Sequence, residues 1–394
     1  MSGRRPVGAS PPPGPGCYVH IPFCARVCPY CDFAVVAGQD ELIERYFAAL
    51  STEIDMEAGG EPLTSVFIGG GTPSRVPAVL IGSLVERLAD RFSLIDGAEV
   101  SLEANPEDWN LEHARDLVAA GVNRVSFGIQ SFDNEVLAGL GRLHRSEGSQ
   151  AVVSQARSAG FNSVSLDLIF GCPGESVDSW NRTVETAITV EPDHVSTYAL
   201  TVERGTELSR QVASGAPAPD ADDQADKYDL ARTMLSEAGF SHYEVSNFAR
   251  DGHECDYNLN TWAQGDYLAF GLGAHGHRRG VRRRNIRRLD AYLERVERGE
   301  LPEAGREIIE GWDRELERVF LGVRRRHGVD PGEVGELLAE DLEAQSLIMA
   351  GKLRVDERRI EVLDPLFTDA VARVVLGLDP PVSAETRPQA RGDV

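Results

Sequence analysis

Three of the chain's six cysteines, Cys24, Cys28 and Cys31, fall within the eight-residue stretch CARVCPYC. Thiolates are soft metal ligands. With Cys17, Cys172 and Cys255 scattered through a long chain, the set does not read as a disulfide framework. Three thiols are one short of a closed tetrahedral zinc site, which would need Cys17 or His20 as its fourth ligand. The alternative is an iron–sulfur cluster, and Pro22, Phe23, Pro29 and Tyr30 make the apolar loop that shields such a cluster from water. The residues by themselves leave both open.

The elements that must position this loop are legible as short apolar runs alternating with longer amphipathic ones. CYVHIP, SVFIGG, EVSLEAN, RVSFGIQS, SVSLDLIFG and HVSTYAL read as six strands. Between them lie helical patterns, such as Leu42, Ile43, Tyr46, Phe47, Leu50 and Ile54 at helical spacing. This alternation predicts parallel strands joined by right-handed crossovers, either a doubly wound sheet or a whole or partial β/α barrel. Cys24, Gly69 to Gly71, Glu103, Gln130, Asp167 and Tyr198 all fall at or just after strand C-termini, where such folds build their sites. FIGGGTPS adds a glycine turn whose amides can meet a carboxylate or phosphate, although it matches neither the Walker nor the dinucleotide pattern.

CxxxCxxC with an aromatic before its last cysteine, followed by GGGTP after the next strand, resembles the radical S-adenosylmethionine family. In that family three thiolates hold a [4Fe-4S] cluster whose fourth iron takes the amino and carboxylate groups of S-adenosylmethionine. Electron transfer into the sulfonium then yields a 5′-deoxyadenosyl radical. YVHIPFC, EANPED, RVSFGIQSF, LGRLH, SLDLIFGCPGES, STYALTVE and GAHG extend the resemblance to the coproporphyrinogen-oxidase-like branch over roughly residues 17 to 277. The resemblance implies a partial (β/α)6 barrel, with Cys24, Cys28 and Cys31 as cluster ligands. It implies Tyr18, Gly70, Gly71, Thr72, Glu103, Gln130, Arg142, Asp167 and Ala199 as cofactor contacts, with Tyr30 against the adenine. The residue types agree: Glu103 and Asp167 can accept from hydroxyls or an ammonium, Arg142 can pair with a carboxylate, and Gln130 can do either. The plain alternative for Arg142 and Asp167 is an ion pair across the barrel mouth.

Within that branch, the oxygen-independent coproporphyrinogen III oxidases carry a fourth cysteine where this chain has Phe33, and a longer N-terminal extension. Both differences make the chain more similar to the HemW haem chaperones, with oxidative decarboxylation of coproporphyrinogen III as the alternative activity. The resemblance implies haem or porphyrin as cargo, haem-accepting proteins and an electron donor as partners, and a cytoplasmic location. HemW-like proteins carry an HNxxYW haem motif; here the segment reads YNLNTW, with Tyr257 for the histidine and Thr261 for the tyrosine. Tyrosinate can ligate haem iron. Tyr257 and His275 are therefore the haem candidates, with an arginine run (Arg278, Arg279, Arg282, Arg283, Arg284, Arg287, Arg288) for its propionates. Two plainer readings compete: Tyr257 and Trp262 packing a domain joint, and the arginines forming a solvated loop and helix start.

The formal net charge of −23 over 394 residues argues against nucleic acid as a partner. No run of apolar residues is long enough for a membrane helix. The expected organisation is a disordered Pro/Gly leader at 1–16, the barrel at 17–240, a mixed, winged-helix-like α+β domain at 241–379, and a disordered tail at 380–394.

Overall fold

The computed structural model describes residues 14–381. The leader and tail expectations for 1–13 and 382–394 lie outside them. Gly16 already belongs to the first strand.

Six strands follow in order: β1 (Gly16–Ile21), β2 (Leu63–Gly70), β3 (Leu94–Ala104), β4 (Arg124–Gln130), β5 (Ser163–Phe170) and β6 (His194–Ala199). Each pairs in parallel with the next, so the winding never reverses. That order is the wall of a barrel rather than a doubly wound sheet. The crossovers include α1 (Ile43–Met56), α2 (Ala78–Phe92), α3 (Leu111–Ala119), α4 (Val152–Ala159) and α5 (Val177–Thr189).

Strand periodicity sorts the residues by face. Val19, Ile21, Val66, Ile68, Leu102, Val125, Phe127, Val164, Leu166 and Val195 join the apolar stripe of α1 (Tyr46, Phe47, Leu50, Ile54) in one buried core. The opposite face carries Tyr18, His20, Glu103, Ser126, Asp167 and Ser196 instead. Parallel strands covered on both sides are usually apolar throughout. A polar second face therefore marks a lumen with chemical work.

The sheet does not end at β6. It gains β7 (Ser241–Glu244) and β8 (Asn247–Ala249) at that edge, and β9 (Tyr267–Phe270), β10 (His275–Arg278), β11 (Val281–Asn285) and β12 (Glu303–Ile308) at the other, for twelve strands in one sheet. β9 lies parallel to β1, as a seventh strand of the same sense. Residues 241–308 therefore extend the barrel sheet. The first compact unit runs through Thr261 and takes in Gly265–Ile308, and the second comprises Trp262–Gln264 and the chain from Ile309. YLAF is too short, and too closely followed by glycines, to stand out in sequence as a strand.

The arginine run is a loop only in part. Arg278 to Arg284 belong to the β10–β11 hairpin, where alternate residues face opposite ways and each side finds acid: Arg278 and Arg283 pair with Glu57, and Arg282 with Glu307. Arg288 does stand at a helix start, directly before Leu289–Glu297. Charge on an outlying hairpin also discourages edge-to-edge association.

The second unit has helices Gly311–Gly322, Val334–Glu340, Leu342–Met349 and Thr368–Leu376, with a hairpin of Leu353–Val355 and Ile360–Val362. Leu316, Val319, Val334, Leu338, Ile360, Val371 and Val375 form its own core. Helices followed by a two-stranded wing are what the alternation in KLRVDERRIEVLD predicts. No helix among the described residues is long and apolar enough to cross a membrane.

Candidate cluster and cofactor site

A cavity of about 430 Å³ opens at the C-terminal ends of the parallel strands, lined by all three clustered cysteines and by Tyr30, Gly70, Gly71, Thr72, Glu103, Gln130, Arg142, Asp167 and Ala199. Of the expected cofactor residues only Tyr18 is not in that lining. Its hydroxyl bonds His20 Nδ1 at 3.0 Å, and His20 Nε2 bonds Ala34 O at 2.8 Å, so Tyr18 reaches the cysteine loop through one intermediary.

The loop is held from several sides. Val36 N donates to Pro22 O, Leu208 N to Pro29 O, and Thr72 N to Phe23 O. The glycine turn packs against it: a Cβ on Gly71 would lie 2.7 Å from the Pro22 carbonyl carbon, and Gly70 has φ +113° with His20 in the space of its missing side chain. These glycines thus serve close approach of two backbones as well as an open turn.

Around the sulfurs, Thr72 Oγ1 lies 3.7 Å from Cys24 Sγ and accepts from Asn105 Nδ2 at 3.1 Å. Arg142 Nη1 points at Cys28 Sγ, while its Nη2 donates to Asn105 Oδ1 and Gly128 O. No Arg142–Asp167 ion pair is therefore needed to account for either residue: Asp167 accepts from Ser126 Oγ at 3.0 Å. Burial pushes the Cys24 thiol up to about 11, with the Thr72 hydroxyl pulling down and Cys31 and Cys28 pushing further up. Burial also raises Cys31. Thiols that hinder one another's ionisation share a small space, and a bound cation would relieve them.

This donor set fits a cluster better than a single zinc ion. Cys17 is fully buried in the apolar core on the strand's other face. Both nitrogens of His20 are engaged, and burial lowers it to about 4. Among the described residues, no group of three His, Cys, Asp or Glu gathers tightly enough for one metal ion. The three thiols instead share a cavity, as a group several atoms across requires.

On the far wall, burial pushes Glu103 up to about 7; the Gly70 amide, 2.9 Å from Oε2, opposes that and Asp167 adds to it. Asp167 is raised too, by burial first. Gln130 ends β4 at φ +65°, where the ladder skips a residue. That bulge turns its side chain into the cavity. Sequence reasoning had not singled out Asn105, although it stands in the quoted EANPED motif and joins Thr72 to Arg142. Tyr257 and His275 are absent from the lining. Tyr257 packs with Tyr18, Phe67 and Tyr267, and Trp262 falls in the second unit, under Arg324.

Residues 18–187 match the profile of the Radical SAM superfamily. The chain is similar to the heme chaperone HemW of Mycobacterium tuberculosis, 39% identical over 383 residues that cover 94% of this chain and 97% of that one. It is also similar to the heme chaperone HemW of Bacillus subtilis, at 33% identity over 83% and 87% of the two chains. Among solved structures it resembles the coproporphyrinogen III oxidase HemN of Escherichia coli, described as a radical SAM enzyme. The TM-score is 0.81 and the identity 25%, over 91% of this chain and 89% of that one.

Proposed function

The chain belongs to the HemW family of radical SAM proteins, and on that premise we propose that it is a haem chaperone that binds haem and passes it to haem-dependent proteins. The observation that carries the cofactor part is the gathering of Cys24, Cys28 and Cys31 with Gly70 to Thr72, Glu103, Gln130, Arg142 and Asp167 around one cavity. The three cysteines would hold a [4Fe-4S] cluster. Bound there, such a cluster would supply the electron for reductive cleavage of S-adenosylmethionine.

The chain's own groups have separable tasks. Arg142 directs its guanidinium at the Cys28 sulfur. The Gly70 amide and Arg124 favour the charged form of Glu103, whose carboxylate suits an ammonium or ribose hydroxyls. Asp167, held by Ser126, offers a second acceptor. Phe23, packed edge-on against Tyr46 at 5.5 Å, keeps water from beneath the loop.

The structural likeness to HemN favours a second reading, coproporphyrinogen decarboxylation. Phe33, in place of the oxidases' further cysteine, argues against it. Anaerobic haem titration of the reconstituted protein, beside an assay for coproporphyrinogen decarboxylation, separates the two. Stoichiometric haem binding without decarboxylation is expected; decarboxylation without haem binding would overturn the chaperone reading.

A further inference from the structure

The two haem candidates sit in opposite environments. Tyr257 is boxed in by aromatic rings at 5.4 to 6.2 Å. Burial holds its phenol well above the ordinary range, so the tyrosinate that binds iron is disfavoured. His275 is exposed at the start of β10, directly opposite Arg284 in the antiparallel register, so the two side chains leave the same face. Among the described residues, neither side chain has a hydrogen-bond or ion-pair partner, whereas those of Arg278, Arg282 and Arg283 all do.

The patch continues to the cysteine loop. Arg287 donates from Nη2 to Asp32 O at 2.6 Å, one residue past Cys31. Phe33 next to it is 61% exposed, and both Asp32 and Phe33 line the cluster cavity. β9 runs parallel to β1 and β10 runs back against it, so His275 stands on the same rim as the strand C-termini. Partial burial, then Arg284, Arg287 and Arg282, disfavour protonation of His275. That keeps the imidazole neutral, the form that ligates iron. Among the described residues Arg284 and Arg287 have no carboxylate partner, in a chain of net charge −23, which makes them a site for carboxylates brought from outside.

We infer that haem docks on this rim beside the cluster loop, with His275 as axial ligand, Arg284 and Arg287 on its propionates and Phe33 against the porphyrin edge. The inference rests on the haem-chaperone reading and adds where the cargo sits. It also sets Tyr257 aside as a ligand and keeps it as a packing residue.

The test is anaerobic titration of the full-length reconstituted protein with haemin and, separately, with iron-free protoporphyrin IX, followed by Soret absorbance. His275→Ala is expected to lose the wild-type Soret position and bind haemin about tenfold more weakly, with protoporphyrin binding unchanged. Arg284→Glu, which touches no part of the cysteine loop, and Arg284→Glu/Arg287→Glu are expected to weaken both porphyrins, the double variant by about tenfold. Tyr257→Phe is expected to bind as wild type, and iron and sulfide content to stay the same in His275→Ala, Arg284→Glu and Tyr257→Phe, none of which removes a bond to the cysteine loop. Wild-type haemin spectra and affinity in His275→Ala, or unchanged binding in both arginine variants, would overturn the docking site and leave the chaperone reading intact. A wild-type protein that binds neither porphyrin would overturn both.

Discussion

Arg142 reaches Cys28 across 114 positions of sequence, its Nη1 3.7 Å from the sulfur. The same guanidinium is anchored by Gly128 O at 2.8 Å, so its charge is fixed in place. A fixed cation favours the more negative, reduced state of a cluster ligated by that sulfur. Arg142→Met should shift the cluster's midpoint potential downward and weaken S-adenosylmethionine binding by about tenfold, with iron content retained. Potentiometry monitored by electron paramagnetic resonance measures the shift; an unchanged potential would remove Arg142 from this role.

Each cysteine of the loop is expected to be indispensable. Cys24→Ser, Cys28→Ser and Cys31→Ser should each abolish the cluster, because neither Cys17 nor His20 can substitute from its buried, engaged position. Iron and sulfide analysis after anaerobic reconstitution checks this. An intact cluster in any one variant would refute the ligand assignment.

Glu103 makes the cofactor-free protein sensitive to pH. Its folded value of about 7 lies above its ordinary 4.5, so the folded chain holds this proton more tightly than the unfolded chain does. The stability it contributes is complete below about pH 4.5 and is lost as pH rises through about 7. Glu53, also raised to about 7 by burial, acts in the same sense. Urea midpoints should fall between about pH 5 and about pH 8, and Glu103→Gln should flatten part of that fall. Cofactor affinity should run the other way, rising with pH as the carboxylate that accepts an ammonium is released. Affinity independent of pH would count against Glu103 as a contact.

Gly71→Ala should disturb the loop without touching a ligand. Its new Cβ would meet the Pro22 carbonyl group at 2.7 to 2.8 Å, and backbone cannot swing aside as a side chain can. A loss of about 2 kcal/mol is expected in denaturant unfolding, together with reduced iron uptake on reconstitution. Wild-type values for both would mean that the turn has slack.

Lys227 is a control outside the cavity lining. It is fully buried, with Nζ 2.7 Å from Asp223 and 3.3 Å from Glu175. Lys227→Met leaves the buried Glu175 carboxylate without its cation and should cost about 3–5 kcal/mol. Chemical denaturation gives the value, and a cost below about 1 kcal/mol would show that Glu175 simply takes up a proton.

The sequence made the six parallel strands and the cavity lining readable because most functional residues sit at or near a strand end, where a period-two apolar run stops. Glu103, next to last in its strand, is an example, whereas Asp167 stands inside its strand with Leu168 to Phe170 beyond it. What it hid depends on long-range pairing. Tyr267–Phe270 is four residues long and becomes a strand only by lying beside β1. The arginine run looks like solvated charge until Glu57 and Glu307 arrive from distant segments. Asn105 was hidden for a different reason: its role as the link between Thr72 and Arg142 exists only once the connections that follow three different strands meet.

The position of β1 between β2 and Tyr267–Phe270 also orders events during synthesis. The strand that leads into the cysteine loop can pair with β2 as soon as Gly70 has left the ribosome, yet its other edge stays bare until the segment around residue 267 follows. Through that interval the thiols are attached to a half-completed wall. Every residue that lines the cluster cavity lies between Cys24 and Glu203, so the whole lining has been made before that second edge is covered.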